Sequence, residues 1–246
     1  MATRSSVRRT SFICSTAALA VLLVGTGCGR KAARVLAGGG TGMSASHAEL
    51  QAFGKSGSIL LTAATDPKTS FHLSCKGQNQ INPRFPMDEK AKPEFGPTSL
   101  EADISPDKIT AVSVRGGKKS EAVAEKTKEL DWAMVKLALL GPISDVTMTM
   151  AFASTVAKLA GPDTVGGAAA DRYDFDTRTA SVAQKLGLDA ATKMLGARVR
   201  HEAIYGTVSV DKASGMLVKW NMDVELSDTK GNTWKEHYEG EAIAKK

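Results

Sequence analysis

The sequence contains few of the residue patterns on which enzymes rely. It has four histidines in 246 residues and no Gly-x-Ser-x-Gly motif, the nucleophile elbow of many hydrolases. Gly54-Lys55-Ser56 matches only the end of a phosphate-binding loop, because the position that requires the first glycine is Glu49. We therefore expect a protein that is not an enzyme and that needs no cofactor.

Patterns of metal ligands are also scarce. His72 and Cys75 lie three positions apart in a predicted strand, so their side chains are expected on opposite faces and do not readily share a metal ion. His201 and His237 lie on strands that could be neighbours. A hydrolase that uses one of these two histidines is an alternative, and it would need a carboxylate and a nucleophile nearby. No metal site is predicted.

The sequence has no apolar run long enough to cross a membrane. Its N-terminal run, residues 12–24, has thirteen residues, whereas a spanning helix needs about 20. Three arginines precede this run, and no acidic residue occurs before Glu49. A positively charged start followed by a short apolar segment is typical of a secretory signal, and we predict one over residues 1–27.

Cysteine is scarce, and its positions lead to a prediction about the membrane. Gly25-Thr26-Gly27-Cys28 follows the apolar run and resembles the bacterial lipobox, in which the cysteine is acylated, although Gly25 stands where leucine is usual. An ordinary cleaved signal with an incidental cysteine is the alternative. Cys14 would leave with the signal and Cys28 would carry lipid, so Cys75 has no disulfide partner. We expect a lipid-anchored protein on the exported side of a bacterial envelope membrane.

Neither sign of charge is strongly in excess once the predicted signal is removed. The full chain has 32 basic and 26 acidic residues, and removal of three arginines leaves 29 against 26, a net charge of +3. That balance does not favour nucleic acid as a partner. Residues 28–46 are rich in glycine, alanine and serine and are predicted to be a flexible tether. Residues 47–246 are expected to form a single domain.

The predicted elements of this domain are strands in two groups with helices between them. After a short helix at 47–54, strands are expected at 58–65, 69–75, 100–104, 109–114 and 171–176, and helices at 125–140, 145–160 and 182–195. No alternation of strand and helix typical of a parallel sheet occurs. The expected fold class is α+β, with a mostly antiparallel sheet.

The clearest pattern lies in the C-terminal third. Six apolar residues alternate with mostly polar ones over residues 216–226, which predicts a strand with one buried and one exposed face. Residues 199–211 and 233–243 are predicted to join it in an antiparallel meander. The buried face of the middle strand is expected to lie under residues 125–160.

Methionine is frequent in and beside the predicted core elements. Its flexible side chain fits irregular apolar partners, as at promiscuous binding surfaces. The helix at 145–160 also carries serine and threonine among its apolar residues, which favours a loosely packed layer. A filled core, in which the methionines only occupy gaps, is the alternative. The residues predicted to line an apolar ligand cavity are Met134, Met148, Met150, Phe152, Trp220 and Val224.

Several short segments resemble a known family. They are Gly161-Pro162-Asp163-Thr164-Val165-Gly166-Gly167 running into Asp171-Arg172-Tyr173-Asp174-Phe175, then a Val-Asp-Lys-x-x-Gly turn at 210–215 and the long amphipathic strand. In this order they resemble the LolA/LppX-like group of bacterial lipoprotein carriers and lipid-binding lipoproteins. The resemblance covers most of residues 47–243. It implies a curved half-barrel of antiparallel strands with helices packed on its concave face around an apolar cavity.

The expected function follows from the predicted anchor and from this resemblance. A membrane-anchored domain of this kind is expected to bind or carry acyl lipid or lipoprotein. The alternative, from another functional class, is a non-enzymatic envelope sensor, interaction module or scaffold with a filled core. The volume and the apolar lining of the interior distinguish these two possibilities.

Overall fold

The computed structural model of the protein describes residues 47–66, 68–81, 94–125, 141–154, 156–180, 199–228 and 230–245. The predicted signal, tether and Cys28 lie outside these residues, as do nearly all of the predicted helix at 125–140 and the whole of the one at 182–195. No helix within the described ranges is both long enough and apolar enough to cross a membrane. The elements within them are α1 (His47–Thr65), β1 (Phe71–Gln80), β2 (Phe95–Ile104), β3 (Lys108–Arg115), β4 (Lys118–Glu125), α2 (Gly141–Ala153), β5 (Lys158–Val165), β6 (Ala168–Asp176), a 3-10 helix (Thr177–Thr179), β7 (Val199–Asp211), β8 (Leu217–Asp228) and β9 (Thr233–Ala244).

These strands form one open antiparallel sheet. Their order is β4-β3-β2-β1-β9-β8-β7-β6-β5, and every neighbouring pair is antiparallel. Strands β1 to β4 form one meander and β5 to β9 another, and the two meanders join where β1 pairs with β9. The prediction of an antiparallel sheet in an α+β fold is therefore confirmed.

The predicted C-terminal meander is also confirmed. Strand β7 has the predicted bounds, and the ends of β8 and β9 differ from the prediction by two residues at most. The alternation in β8 exists because one face of the strand lies in the core and the other faces solvent. Four of the six predicted residues are buried in the main core: Trp220, Met222, Val224 and Leu226.

The start of β8 departs from the predicted alternation. The register between β7 and β8 shifts there, so β8 contains one residue more than its partner. As a result Leu217 enters the main core, while Val218 joins a small separate cluster with Val165 and Ala170. Met216 lies before the strand and is only partly buried.

The strand predicted at 58–65 is wrong, because these residues continue helix α1. Phe53, Leu60 and Ala64 are buried, and their spacing of seven and four residues places them on one side of a helix. The error arose because a short apolar run has the same composition in a strand and in a buried helix.

The helix predicted at 145–160 is also corrected. Helix α2 ends at Ala153, and β5 begins at Lys158 as an edge strand of the sheet. The Gly161-Pro162 pair, which directly follows the predicted helix, lies inside β5. An edge strand accepts proline because one side of its backbone needs no partner strand.

Helices α1 and α2 pack on the face of the sheet that carries Trp220, which we call the inner face; the opposite side is the outer face. Phe53 of α1 contacts Tyr173 and Phe175 of β6 edge-on, with ring centroids 5.5 and 5.7 Å apart. Helix α1 also contacts β8. The predicted cover of β8 was residues 125–160, so the contribution of α1 is an addition that the sequence did not predict.

Candidate functional site

The predicted cavity residues that the structure describes lie in the interior between the helices and the inner face. Met150 of α2 and both Trp220 and Val224 of β8 are at most 1% exposed, and all three belong to one continuous cluster of buried apolar residues. Met134 and the side chains of Met148 and Phe152 lie outside the described residues. The fold therefore brings α2 and β8 to the same interior.

A glycine on the neighbouring strand makes room for the Trp220 ring. Gly240 of β9 pairs with Trp220 of β8. A Cβ atom at Gly240 would lie 2.4 Å from Cζ2 of Trp220 and 2.5 Å from the carbonyl oxygen of Ser74. The indole thus occupies the space that a side chain at position 240 would take.

Gly240→Ala is expected to lower the free energy of unfolding by about 1–3 kcal/mol, because the ring and a strand backbone must move. Gly96→Ala is the matched control. Gly96 also lies in a strand, and its added Cβ would meet the Ile81 side chain at 3.4 Å and the Cα atom of Gly116 at 3.5 Å, which are ordinary contacts. Urea unfolding of both variants measures the difference. Equal losses would contradict the close packing of Trp220 on Gly240.

The two helices approach each other through small residues. A Cβ atom on Gly57 would lie 2.9 Å from Oγ1 of Thr147 and 3.0 Å from its Cα, and a Cβ atom on Gly54 would lie 3.3 Å from Cβ of Ser154. Glycine allows close approach of the backbones but contributes no apolar side-chain area. At these points the seam between α1 and α2 is therefore close but lacks large interlocking side chains.

The helix layer also buries hydroxyl groups. Ser56, Thr147 and Thr149 are buried. The hydroxyl of Ser56 donates to the carbonyl oxygen of Phe53 over 2.8 Å, whereas Oγ1 of Thr147 has no hydrogen-bond partner in the part of the chain described. A buried polar group without a partner costs about 1–3 kcal/mol. The layer is therefore less stable than an apolar helix pair of the same size.

Strand β9 places a carboxylate on the inner face. Trp234, Glu236 and Tyr238 alternate along the strand and share this face with Gly240. Glu236 is 1% exposed, and the hydroxyl of Tyr238 donates a hydrogen bond to it. Glu236 was not among the predicted site residues, although its position carries a signal: the neighbours of this glutamate in the alternation of β9 are aromatic.

The outer face carries ion pairs. Nε2 of His72 lies 3.1 Å from Oε2 of Glu101, and its Nδ1 lies 2.9 Å from Oδ1 of Asp103. Nζ of Lys245 lies 2.6 Å from the same oxygen of Asp103. Hydrogen bonds from Lys245 and then His72 lower the pKa of Asp103. This carboxylate is therefore ionised at neutral pH.

A second group of charges lies farther along the outer face. Nδ1 of His237 is 2.9 Å from Oδ1 of Asp223, and Nζ of Lys235 is 3.0 Å from Oδ2. Burial raises the pKa of Asp223, but the hydrogen bonds from His237 and Lys235 outweigh it, and the pKa is lowered overall. This part of the outer face is therefore a solvated surface of paired charges.

The structure separates the histidines and cysteine considered as reactive groups. His72 lies on the outer face and Cys75 is buried on the other side, as predicted. His201 and His237 are not brought together, because β8 lies between their strands.

Burial, followed by the charge of Glu101, raises the pKa of Cys75 to about 12, which disfavours the reactive thiolate. Among the described residues no three His, Cys, Asp or Glu side chains are arranged to hold a metal ion.

Grooves occur on the surface of the described part of the chain. One of about 430 Å³ lies on the outer face between Lys76, Pro97 and His237. Another of about 430 Å³ lies beside α1, near Ile59 and Asp66. Neither groove is lined by the predicted cavity residues, so neither is the interior site that the sequence predicted.

The chain matches no family model. It also matches no curated protein. Among solved structures, a match is the "Crystal structure of MucB in complex with MucA(peri)", with 11% sequence identity and a TM-score of 0.28. The alignment covers 77% of this chain and 56% of that one, so the chain spans little more than half of the length of that protein. A TM-score this low does not establish a shared fold, and no functional conclusion follows from it.

Proposed function

We propose that this protein is a lipid-anchored component of the bacterial envelope whose domain binds or carries an acyl lipid or the acyl chains of a lipoprotein. Lipid on Cys28 holds the exported domain at the membrane through the tether of residues 28–46. The sheet curves as a half-barrel, and its helices lie on the concave side. The acyl chain lies between the helix layer and the inner face, and no catalytic step is involved.

The observation that carries this proposal is the contrast between the two layers. The inner face presents large apolar side chains such as Trp220 and Val224. In the helix layer above it, α1 approaches α2 at Gly57, and the buried hydroxyl of Thr147 has no partner among the described residues. Separation of such a seam costs less than separation of interlocked apolar helices, and it would expose apolar surface to a ligand.

A scaffold with a filled core is the second candidate, and the burial of the predicted lining residues favours it. Met150, Trp220 and Val224 are enclosed by other side chains of the core. In a scaffold these contacts are permanent, and the domain acts through its charged outer face. The two functions therefore differ in whether the interior opens.

Met150→Trp distinguishes the two candidates. In an acyl-binding domain the larger ring fills the space that the ligand uses, so the variant stays folded but loses uptake. In a filled core the same change overpacks the interior and costs about 1–3 kcal/mol. Met216→Trp is the control, because Met216 lies just before β8 and is only partly buried, so this variant should leave uptake unchanged.

The measurement uses the Cys28→Ser protein, so that the protein's own acyl chains do not occupy the interior. Fluorescent oleoyl probes, one with a carboxylate head and one with a glycerol head, are titrated into it, and thermal unfolding is followed in parallel. Saturable uptake of either probe, with a stability gain that rises with probe concentration, supports acyl binding. Lack of uptake together with a destabilised Met150→Trp variant would leave the scaffold as the function.

A further inference from the structure

The inner face of β9 carries a row of three side chains with polar atoms inside a mostly apolar interior. Trp234, Glu236 and Tyr238 occupy alternate positions and span roughly 13 Å between the first and last Cα atoms, at about 3.3 Å per residue. Glu236 and Tyr238 are 1% and 4% exposed. Burial of a carboxylate costs several kcal/mol unless hydrogen bonds compensate it. A glutamate at this position therefore depends on hydrogen bonds to its carboxylate.

The row offers both an acceptor and an unused donor. Tyr238 donates to the carboxylate of Glu236 and so helps to hold it on the inner face. Trp234 packs against Phe95 with ring centroids 5.8 Å apart, and its Nε1 is buried with no hydrogen-bond partner in the described residues. A buried N–H group without a partner costs about 1–3 kcal/mol, and an acceptor from a ligand would recover this energy.

The row borders a residue predicted to line the cavity. Glu236 pairs with Val224 of β8, so these two side chains lie side by side on the inner face. On the other side of β9, Tyr238 pairs with Gly77 of β1, which has no side chain. An acyl chain lying along Val224 would place its head near Glu236 and Trp234.

We propose that this row binds the head of the acyl lipid, and that this head is uncharged and carries a hydroxyl or an amide. The inference rests on the proposed function. A hydroxyl or an amide can donate to Glu236 and accept from Nε1 of Trp234. A carboxylate head can accept from Trp234 but has no proton to donate to Glu236, and an ammonium head can donate to Glu236 but offers no acceptor to Trp234.

Three oleoyl probes with the same chain test this proposal on the Cys28→Ser protein: monooleoylglycerol, oleate and oleylamine. We expect monooleoylglycerol to bind roughly tenfold more tightly than the other two, as for one net hydrogen bond to a buried group. The indole ¹⁵N–¹H signal of Trp234 should move downfield on saturation with monooleoylglycerol. Its absence from the spectrum of Trp234→Phe assigns this signal.

Two variants test the Trp234 donor and the Glu236 acceptor separately. Trp234→Phe keeps an aromatic ring beside Phe95 and removes the N–H donor, so it should reduce the preference for monooleoylglycerol over oleylamine to less than about threefold. Glu236→Gln replaces an acceptor oxygen by an N–H donor and should raise the affinity for oleate. Tyr205→Phe is the control, because the Tyr205 hydroxyl hydrogen-bonds Glu225 on the outer face, and it should leave all three affinities unchanged.

The outcomes separate this proposal from the function on which it rests. If oleate or oleylamine binds the unchanged site as tightly as monooleoylglycerol, the assignment of the head is wrong and acyl binding stands. A Trp234 signal that does not move while monooleoylglycerol saturates the protein also refutes it, even where Glu236→Gln fails to fold. If none of the three probes binds saturably, both the assignment of the head and the proposed acyl-binding function are wrong.

Discussion

Trp220→Asp is expected to lower the free energy of unfolding by about 4 kcal/mol or more. The ring is 1% exposed in the main core and fills the space above Gly240. Aspartate removes this packing and leaves a charge on the buried face of β8, where burial of an unpaired charge is costly. Urea unfolding at pH 7, followed by circular dichroism, measures the loss, and a variant that does not fold at all agrees with the expectation.

Lys219→Asp introduces the same residue one position earlier, on the outer face. Lys219 is exposed and pairs in the ladder with Glu241, so the variant gains a like-charge contact in solvent. Such exposed contacts are worth about 1 kcal/mol at most. If both variants lose similar stability, the two faces of β8 have been assigned wrongly.

Cys28→Ser is expected to move the protein from the membrane fraction to the soluble fraction and to abolish incorporation of labelled palmitate. The proposal places the whole anchor on one thiol, so its loss removes all of the acyl chains together. Stable residence on a membrane needs more than a single chain. Fractionation after a salt wash, with labelled palmitate as a second readout, measures the effect.

Cys14→Ser is the matched control for the anchor, because Cys14 lies in the predicted signal and would be removed with it. Palmitate incorporation and fractionation should both be unchanged in this variant. A Cys28→Ser protein that stays with the membranes after the salt wash would show that another anchor exists.

The strands that were predicted correctly are those whose two faces meet different environments. Between Lys219 and Leu226 of β8, core and solvent positions follow each other residue by residue, so the alternation is visible in Trp220, Met222 and Val224. Phe71, Leu73 and Cys75 of β1 are likewise buried at every second position. No knowledge of neighbouring strands is needed to recognise such a pattern.

Strand β4 was not predicted because its position in the sheet leaves it almost no apolar signal. It is an edge strand, and along its eight residues Ala124 alone is buried. Its conformation comes from hydrogen bonds to β3, in a register that the sequence does not display. Edge strands commonly carry charges such as Lys119 and Glu121, which resemble the composition of a loop.

The candidate site could be predicted only in part for a similar reason. The apolar character of Met150, Trp220 and Val224 indicated the interior, where the structure places all three. The space that Gly240 leaves for Trp220, and the position of Glu236 beside Val224, depend on the register between β8 and β9. Register arises from the assembled sheet, so these features are visible only in three dimensions.

The junction of β1 and β9 determines when this sheet can be completed. Leu73 pairs with Ala242, which lies 169 positions later in the chain. The two meanders consist mainly of contacts between chain neighbours, whereas their junction closes a very long loop, and long-range pairing of this kind slows folding. In a chain that is synthesised from its N-terminus, one edge of β1 has no partner strand until β9 emerges, and an unpaired edge is a template for aggregation. The N-terminal meander therefore depends on the last strand of the sheet for its protection.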